Sequence, residues 1–247
     1  MAFDNLLLAR DGAVAIVTIN RPAVLNALSL STMDDLRRVM HDLKRDETVR
    51  AIVVTGAGEK AFVAGADIAE MKDLDAAGAE VEHTLTHVAN ESIRLCPVPV
   101  IARINGYCLG FGMELAAACD LRVGVETAKF GMPEVRVGIP SGMEAVLLPG
   151  LIGWGKSTEL ILTGDLIDAQ EAYRIGFLQK MVAADALDAA VEQWLSSLLK
   201  GGPRVMRSQK MLMRDWERMS LNDGIWAGIR ACVEARSTDE PKRMMEA

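Results

Sequence analysis

Residues 104–118 have the sequence INGYCLGFGMELAAA, and this segment decides how the rest of the chain folds. A β-branched apolar run, Val98 to Ile104, precedes the glycines and good helix formers follow them, so the pattern predicts a strand, a glycine turn and a helix. Gly106, Gly110 and Gly112 let the backbone turn tightly and approach a ligand closely. The first N–H groups of the new helix would favour a developing negative charge. A buried turn without catalytic function in an α/β core shows the same pattern.

Two glutamates follow glycine turns at different places in the chain. Glu114 lies in the first turn of the predicted helix, within an otherwise apolar segment, and Glu134 follows Phe130-Gly131-Met132-Pro133. A chain of βαβ units can bring such turns to one edge of the structure. Two carboxyl groups in one pocket push each other's ionisation apart, so that one can act as a base and the other as an acid. Solvent-exposed glutamates are the open alternative.

Composition and charge exclude several classes of protein. The 247 residues are 50% apolar and 25% charged, which fits one soluble domain with room for a small appendage. A net charge of −7 and an isoelectric point of about 5.1 argue against binding to nucleic acids or membrane surfaces. No apolar run reaches the roughly 18 residues of a membrane-spanning helix, and the first residues lack a signal-peptide pattern. We therefore predict a cytoplasmic protein.

Strands and helices alternate along most of the chain. Asp11-Gly12 predicts a hairpin near the start. Lys60 to Asp67 predicts a second strand and glycine turn, which could supply a second N–H donor to the same site. Val81 to Leu95 predicts a helix, and we expect the preceding stretch, Asp73 to Glu80, to be loose. The alternation predicts βαβ units, followed from Ala169 onward by a mainly helical tail.

Several other patterns point to nucleotide, hydrolase or metal sites, but the neighbouring sequence argues against each of them. Gly150 to Ser157 fits G-x-x-x-x-G-K-[ST], but Pro149 stands where a phosphate-binding loop needs a buried strand. Gly110-Phe111-Gly112 lacks the third glycine of a dinucleotide fingerprint. All histidines precede residue 88, which argues against a nucleophile-elbow hydrolase, whose histidine follows its serine. His83 and His87 could share a helix face, but without a His-Glu-x-x-His pattern we expect no metal site.

Four motifs occur in the order and spacing of a known family. The chain resembles the enoyl-CoA hydratase/isomerase (crotonase) family over nearly its whole length. The motifs are Asn20-Arg21-Pro22 with Leu25-Asn26-Ala27-Leu28, then Ala61 to Ile68, then Asn105 to Ala116, and finally Phe130 to Glu134. Four ordered motifs are far more specific than any one glycine pattern.

The resemblance implies an α/β fold of the crotonase-like (ClpP/crotonase) type, a spiral of ββα units with a helical C-terminal region. It divides the chain into a spiral catalytic core, residues 1–195, and a helical trimerisation region, residues 196–247. It also implies that the protein assembles as a homotrimer or homohexamer.

The resemblance also implies roles for individual residues. The backbone N–H groups of Ala66 and Phe111 would form the oxyanion hole for an acyl-CoA thioester. Glu114 would orient and deprotonate the water that attacks the β-carbon, and Glu134 would deliver a proton to the α-carbon. The residues expected to contact CoA or the acyl group are Ala64, Ala66, Asp67, Ile68, Ala69, Gly110 and Phe111.

The implied reaction is the hydration of a 2-enoyl-CoA to a 3-hydroxyacyl-CoA, as in fatty acid metabolism. It requires no cofactor beyond the CoA that belongs to the substrate. The nearest alternative is a double-bond isomerase of the same family, which can work with one carboxylate. A non-catalytic family member that binds RNA or proteins is a further alternative, although the acidic charge argues against RNA.

Two departures from the family pattern affect the predicted acyl pocket. Phe111 stands where the family usually has glycine, so its ring must find room or reshape the pocket. Pro140-Ser141-Gly142-Met143-Glu144 replaces the usual Pro-Gly-x-Gly-Gly-Thr, which puts the placement of water and acyl chain in question. The candidates for pocket residues are Phe111, Met113, Met132, Met143 and Glu144, with core packing as the open alternative for the methionines.

Overall fold

The computed structural model describes residues 3–246, and within them the strands form two sheets. The strands in chain order are β1 (Leu6–Asp11), β2 (Val14–Ile19), β3 (Ala51–Gly56), β4 (Ala61–Val63), β5 (Val100–Ile104), β6 (Tyr107–Leu109), β7 (Leu121–Val125), β8 (Lys129–Gly131), β9 (Ile167–Asp168) and β10 (Lys180–Val182). The larger sheet has the order β1-β2-β3-β5-β7-β10, and the smaller one has the order β4-β6-β8-β9.

Each turn of the chain places one strand in each sheet, as β3 and β4, β5 and β6, and β7 and β8 do. The larger sheet is parallel from β2 to β10, and β1 joins it as the first strand of the hairpin predicted at Asp11-Gly12. In the smaller sheet β4, β6 and β8 are parallel, and β9 runs antiparallel to β8. This is the spiral of ββα units that the resemblance implies.

The central strands β3 and β5 are mostly apolar because both of their faces are covered. Every residue of β3 is buried, and so is all of β5 except Arg103. Phe62, Phe130 and Phe177 are the largest fully buried side chains, and the rings of the last two pack edge to face with centroids 5.6 Å apart. The rigid core therefore fixes the loops that follow the strands of the smaller sheet.

The helices in chain order are α1 (Leu30–Arg45), α2 (Ile68–Met71), α3 (Ala76–Arg94), α4 (Phe111–Ala118), α5 (Leu148–Thr163), α6 (Ala169–Arg174), α7 (Leu187–Lys200), α8 (Pro203–Trp216), α9 (Leu221–Ala235) and α10 (Glu240–Glu246). Helix α3 begins five residues earlier than the predicted Val81, because the side chain of Asp75 caps it by accepting from the N–H of Gly78 (2.8 Å). The expectation of a loose stretch from Asp73 to Glu80 is therefore wrong for most of its length.

The segment with the phosphate-loop pattern, Gly150 to Ser157, lies inside α5. Gly153 breaks this helix with a φ of 77°, and the hydroxyl of Ser157 donates to its carbonyl (2.9 Å). Lys156 binds the carboxylates of Glu159 and Glu171 at 2.8 and 3.0 Å. Since the lysine is already paired and the backbone is helical, this segment has no phosphate-binding loop.

The C-terminal helices join the core through a buried charge cluster. Asp120, just before β7, accepts from the N–H of Val100 (2.7 Å) and pairs with Lys210 and Arg214 of α8, each at 2.7 Å. Lys210 also donates to the carbonyl of Val98 (2.9 Å). Helix α8 is thus tied to the start of β5, the strand that leads into the segment 104–118.

Helices α7 to α9 differ in how their apolar sides are covered. Helix α7 crosses residue 195, the predicted end of the core, and packs on the core through Leu187, Val191 and Leu195. The apolar side of α8 and α9 remains exposed in the single chain; its members are Met213, Trp216, Leu221, Ile225, Trp226, Ile229 and Val233. Among the described residues, no helix is both long enough and apolar enough to span a bilayer.

Candidate active site

Two glycine turns, one after β4 and one after β6, meet at the candidate site. Gly65 has a φ of 116° and Gly110 a φ of 51°, both in the region that favours glycine. A Cβ atom on Gly110 would lie 3.8 Å from the Cα of Gly65 and would overlap Oε1 of Glu134. The predicted meeting of the two glycine turns and Glu134 is therefore present.

The two other glycines of the segment serve a different purpose from the one expected. A Cβ atom on Gly106 would overlap the carbonyl oxygen of Lys60, and one on Gly112 would overlap that of Val63. These glycines let the start of β6 pack on Lys60, just before β4, and let α4 pack on Val63 at the end of β4. At these two positions the glycine allows two backbone segments to pack closely. The predicted close approach of a ligand does not apply to them.

The backbone N–H of Ala66 points away from the segment around Leu28, which pairs with it. Leu28 forms a parallel bridge with Ala66, in which the N–H of Leu28 donates to Gly65 and its carbonyl accepts from Asp67, both at 2.9 Å. In this pattern the bonds are made by the residues on either side of Ala66, so its own N–H points the opposite way. A salt bridge between Arg21 and Asp67 (2.8 Å) holds the turn in place.

The backbone N–H of Phe111 is the first of α4 and has no acceptor within the helix. The N–H of Gly110 donates to the carbonyl of Gly131 (2.9 Å), which holds the turn against β8. The ring of Phe111 is buried and meets His83 edge to face, with centroids 6.0 Å apart. The bulky ring thus finds room against α3 while its amide remains at the turn.

A cavity of about 140 Å³ lies between these turns. The predicted site residues that line it are Ala64, Ala66, Ile68, Gly110, Phe111 and Glu134. Three others do not. The carboxylate of Asp67 caps α2 by accepting from the N–H of Ala69 (3.1 Å) and faces Arg21, and Ala69 is exposed next to it. Glu114 is buried and is not among the residues that line the cavity.

Glu114 is 1% exposed, and neither carboxylate oxygen has a hydrogen-bond partner within the described residues. Burial, followed by the charges of Glu134 and Glu144, raises the pKa of Glu114 to about 9. Only the N–H of Ala145 lowers this pKa, and it is the smallest of the causes. The hydrogen bond of that N–H goes to the carbonyl of Gly142 (3.0 Å). At neutral pH the Glu114 carboxyl therefore holds its proton.

Glu134 has a more polar environment although it is also buried. It lies in a 3-10 helix, Pro133–Val137, which ends at Gly138 with a φ of 84°. The hydroxyl of Ser141 donates to its Oε2 (2.7 Å), and its Oε1 lies against the Cα of Gly110. Ser141, which departs from the family pattern, thus holds the second glutamate at the cavity wall.

A third buried carboxylate, Glu144, lies in the 3-10 helix Met143–Leu147 packed on α4. Its Oε1 is 2.7 Å from Nδ1 of His87, and its Oε2 accepts from Asn90 (3.0 Å). The sequence marked Glu144 as a pocket candidate but missed its partners on α3. The four-residue spacing of His83 and His87 was the available signal, and it was weighed only as a metal site.

The arrangement provides what an enolate needs. Two backbone amides line one end of a small cavity and can stabilise an oxyanion, while carboxyl groups in different environments can donate and accept protons nearby. A ββα spiral with such a site defines the crotonase class of enzymes.

Comparisons with known proteins agree with this class over the whole chain. A family model described as enoyl-CoA hydratase/isomerase matches residues 9–247. The short-chain-enoyl-CoA hydratase of Clostridium acetobutylicum is 36% identical over 100% of this chain and 95% of its own. The crotonyl-CoA hydratase of Syntrophomonas wolfei is 38% identical over 85% of this chain and 81% of its own.

A crystal structure of an enoyl-CoA hydratase from Bacillus anthracis superposes with a TM-score of 0.96 at 30% identity, covering 99% of this chain and 95% of the other. The chain belongs to the enoyl-CoA hydratase/isomerase family. The predicted family and fold class are confirmed.

Proposed function

We propose that this protein is an enoyl-CoA hydratase, a lyase that adds water to a 2-enoyl-CoA to give a 3-hydroxyacyl-CoA. The observation that carries the proposal is the meeting of Ala66, Phe111 and Glu134 around one cavity, with Glu114 three residues further along α4. The relatives named as hydratases support it.

In the proposed mechanism, the thioester carbonyl accepts hydrogen bonds from the N–H groups of Ala66 and Phe111. Each such donor is typically worth about 3 kcal/mol as the enolate charge develops. Ionised Glu114 takes a proton from water, whose oxygen bonds to the β-carbon, while the C=C electrons move to form the enolate. Glu134 gives its proton to the α-carbon, and one water molecule is added in total.

This mechanism sets a requirement for the free protein. The raised pKa of Glu114 keeps it protonated at neutral pH, so its proton must leave before it can deprotonate water. Across one turnover Glu114 gains a proton and Glu134 loses one. The pair must therefore be reset before the next substrate reacts.

The cavity supports a short acyl group. Its volume of about 140 Å³ is small, and its lining includes Ala64, Ala66 and Phe111. We propose crotonyl-CoA as the first substrate to test, with the adenine nucleotide of CoA lying outside the cavity, near Ile68 and Ala69, which are both exposed.

We also propose a homotrimer or homohexamer acting in the cytoplasm, without nucleic-acid or membrane partners and with no cofactor. The exposed apolar side of α8 and α9 supports an assembly contact, and the net charge of −7 argues against nucleic acid. Sedimentation velocity at several protein concentrations tests the assembly. A monomer at every concentration would contradict it.

The activity test follows the absorbance of the conjugated thioester of crotonyl-CoA, with mass spectrometry of the product formed in ¹⁸O-water. We expect loss of absorbance and one heavy oxygen in the product. Glu114→Gln and Glu134→Gln should each lower kcat by about 100-fold or more, the usual value of acid–base catalysis. Glu126→Gln, an exposed glutamate next to β7, is the matched control and should retain full activity. Full activity of either of the first two variants would contradict its assigned role.

Isomerisation is the second candidate, because Glu134 lines the cavity and Glu114 does not. A single carboxylate can move a proton between the α- and γ-carbons of a 3-enoyl-CoA. Conversion of 3-enoyl to 2-enoyl-CoA without ¹⁸O in the product, and with full activity in Glu114→Gln, would favour the isomerase.

A further inference from the structure

The hydrogen bonds of Glu144 contrast with the isolation of Glu114. Glu144 is 5% exposed, and both of its oxygens have partners on α3, namely His87 and Asn90. Glu114 is more deeply buried and has no polar partner among the described residues. A buried carboxylate without partners is costly, so Glu114 depends on its neighbours for any change of charge.

The segments that carry the two carboxyls are in contact. The 3-10 helix Met143–Leu147 packs on α4, and the charge of Glu144 is one of the causes that raise the pKa of Glu114. The other titratable group that acts on Glu114 is Glu134, at the cavity wall. Glu144 in turn faces the imidazole of His87 and the amide of Asn90.

His87 connects this buried pair to the surface. Its side chain is 49% exposed, while Nδ1 lies 2.7 Å from the buried Oε1 of Glu144. Imidazole takes a proton on one ring nitrogen and releases one from the other, and histidine exchanges protons readily near neutral pH. A half-exposed imidazole on a buried carboxylate is therefore suited to carry protons between solvent and the interior.

We propose that His87 and Glu144 form a proton relay that links Glu114 to solvent. In the hydration proposed above, on which this inference rests, Glu114 passes its proton to Glu144 through an intervening water, because neither oxygen of Glu114 bonds to another described residue. Glu144 passes a proton to Nδ1 of His87, and the ring releases a proton to solvent. The same path run inward returns a proton, so each transfer forms one O–H or N–H bond and breaks another.

The first experiment uses chemical rescue. His87→Ala removes the imidazole at a half-exposed position that a small buffer molecule can enter. General acid–base catalysis is typically worth about 100-fold or more, and a relay acts only between turnovers, so we expect a smaller loss in kcat, about tenfold. KM for crotonyl-CoA should stay unchanged. Adding imidazole to the assay should restore kcat, because free imidazole can take over the transfer.

Two controls separate a relay from a packing role. His41→Ala removes an exposed histidine of α1 whose nearest carboxylate is its neighbour Asp42 (3.7 Å), and it should change neither kcat nor the response to imidazole. His87→Gln keeps a hydrogen-bond donor for Glu144 but cannot relay protons. It should keep the melting temperature of the wild type and lose kcat. Full activity of His87→Gln, or a loss that imidazole does not repair, would overturn the relay.

The second experiment does not depend on turnover. Rapid mixing with D₂O shifts the infrared band of a protonated carboxyl as its proton exchanges, and Glu114→Gln identifies the band of Glu114. We expect exchange at Glu114 to be about tenfold slower in His87→Gln than in the wild type, the same factor as the expected loss in kcat. Equal exchange rates would overturn the relay, even in a protein that hydrates nothing. Failure of the wild type to hydrate any enoyl-CoA, with slowed exchange in the variant, would contradict only the proposed function.

Discussion

The start of α4 and the 3-10 helix Pro133–Val137 each carry one glutamate of the candidate pair. The first glutamate has apolar surroundings, and the second has a polar partner. Around Glu114 the segment is apolar, and its carboxyl finds no partner. Around Glu134 the chain provides the hydroxyl of Ser141 and the open side of Gly110. Two chemically identical residues thus have opposite surroundings, and burial raises the pKa of Glu114. Breaking this difference is the most direct way to test the site.

The largest effect is expected from Gly110→Ala. The new Cβ atom would overlap Oε1 of Glu134 and push the carboxylate from the cavity wall. Displacing a catalytic group by about 1 Å can cost roughly 100-fold in rate, so we expect a loss of that order in kcat for crotonyl-CoA.

Gly12→Ala is the matched control for this substitution. Gly12 has a φ of 54°, against 51° for Gly110, but a Cβ atom there meets nothing within 4 Å. Both variants place an alanine at a similar positive φ, although Gly110 also has a ψ of −121°, and only the variant at Gly110 contacts Glu134. Equal loss of activity in the two variants would show that strain, rather than the position of Glu134, is responsible.

An intermediate effect is expected in the pH dependence of stability. The pKa of Glu114 rises from 4.5 in the unfolded chain to about 9 in the folded one, so the folded state binds more protons between these values. Stability from this group is present below pH 4.5 and is lost as the pH rises towards 9, by at most about 1.4 kcal/mol per pH unit. Glu114→Gln removes this loss.

Calorimetry of the wild type and Glu114→Gln from pH 5 to pH 9 measures this difference. The melting temperature of the variant should exceed that of the wild type by a margin that grows with pH, at roughly 2–4 °C per kcal/mol. Glu126→Gln, an exposed site, should follow the wild type. A constant difference across the range would mean that Glu114 is ionised at neutral pH.

The smallest effect is expected from Ser141→Ala, which removes the hydroxyl that donates to Glu134 (2.7 Å). An ordinary hydrogen bond is worth about 0.5–1.5 kcal/mol, so we expect kcat to fall by about two- to tenfold. Ser197→Ala removes a hydroxyl that bonds only to the carbonyl of Gln193 in its own helix (3.2 Å), and kcat should not change. Unchanged activity of Ser141→Ala would mean that Gly110 alone places Glu134.

The hairpin and the two glycine turns were predictable because local rules determine them, whereas the spiral fold and the role of Glu134 followed from the resemblance to the family. Asp11-Gly12 specifies a hairpin, and glycine at positions 65 and 110 specifies turns that only this residue adopts easily. These signals depend on neighbours in sequence. Their outcome does not change with the rest of the fold.

The partners of Glu144 and the early start of α3 were not predictable in the same way. His87 and Glu144 are 57 residues apart, and no local pattern joins them. Asp75 sits in a stretch of alanine, aspartate and glycine that favours a loop, and its cap overrides that preference. Glu114 was predicted to share a pocket with Glu134; it is not among the residues that line the cavity of Glu134, although the charge of Glu134 acts on it.

The charge cluster at Asp120 has a consequence for synthesis of the protein. Asp120 receives its partner Arg214 94 residues later in the chain. At ribosomal rates of about 5–20 residues per second, Arg214 is made roughly 5–20 s after Asp120. Until Lys210 and Arg214 are made, Asp120 has no cationic partner at the start of β7. This contact between core and C-terminal region can therefore form only after α8 has been synthesised.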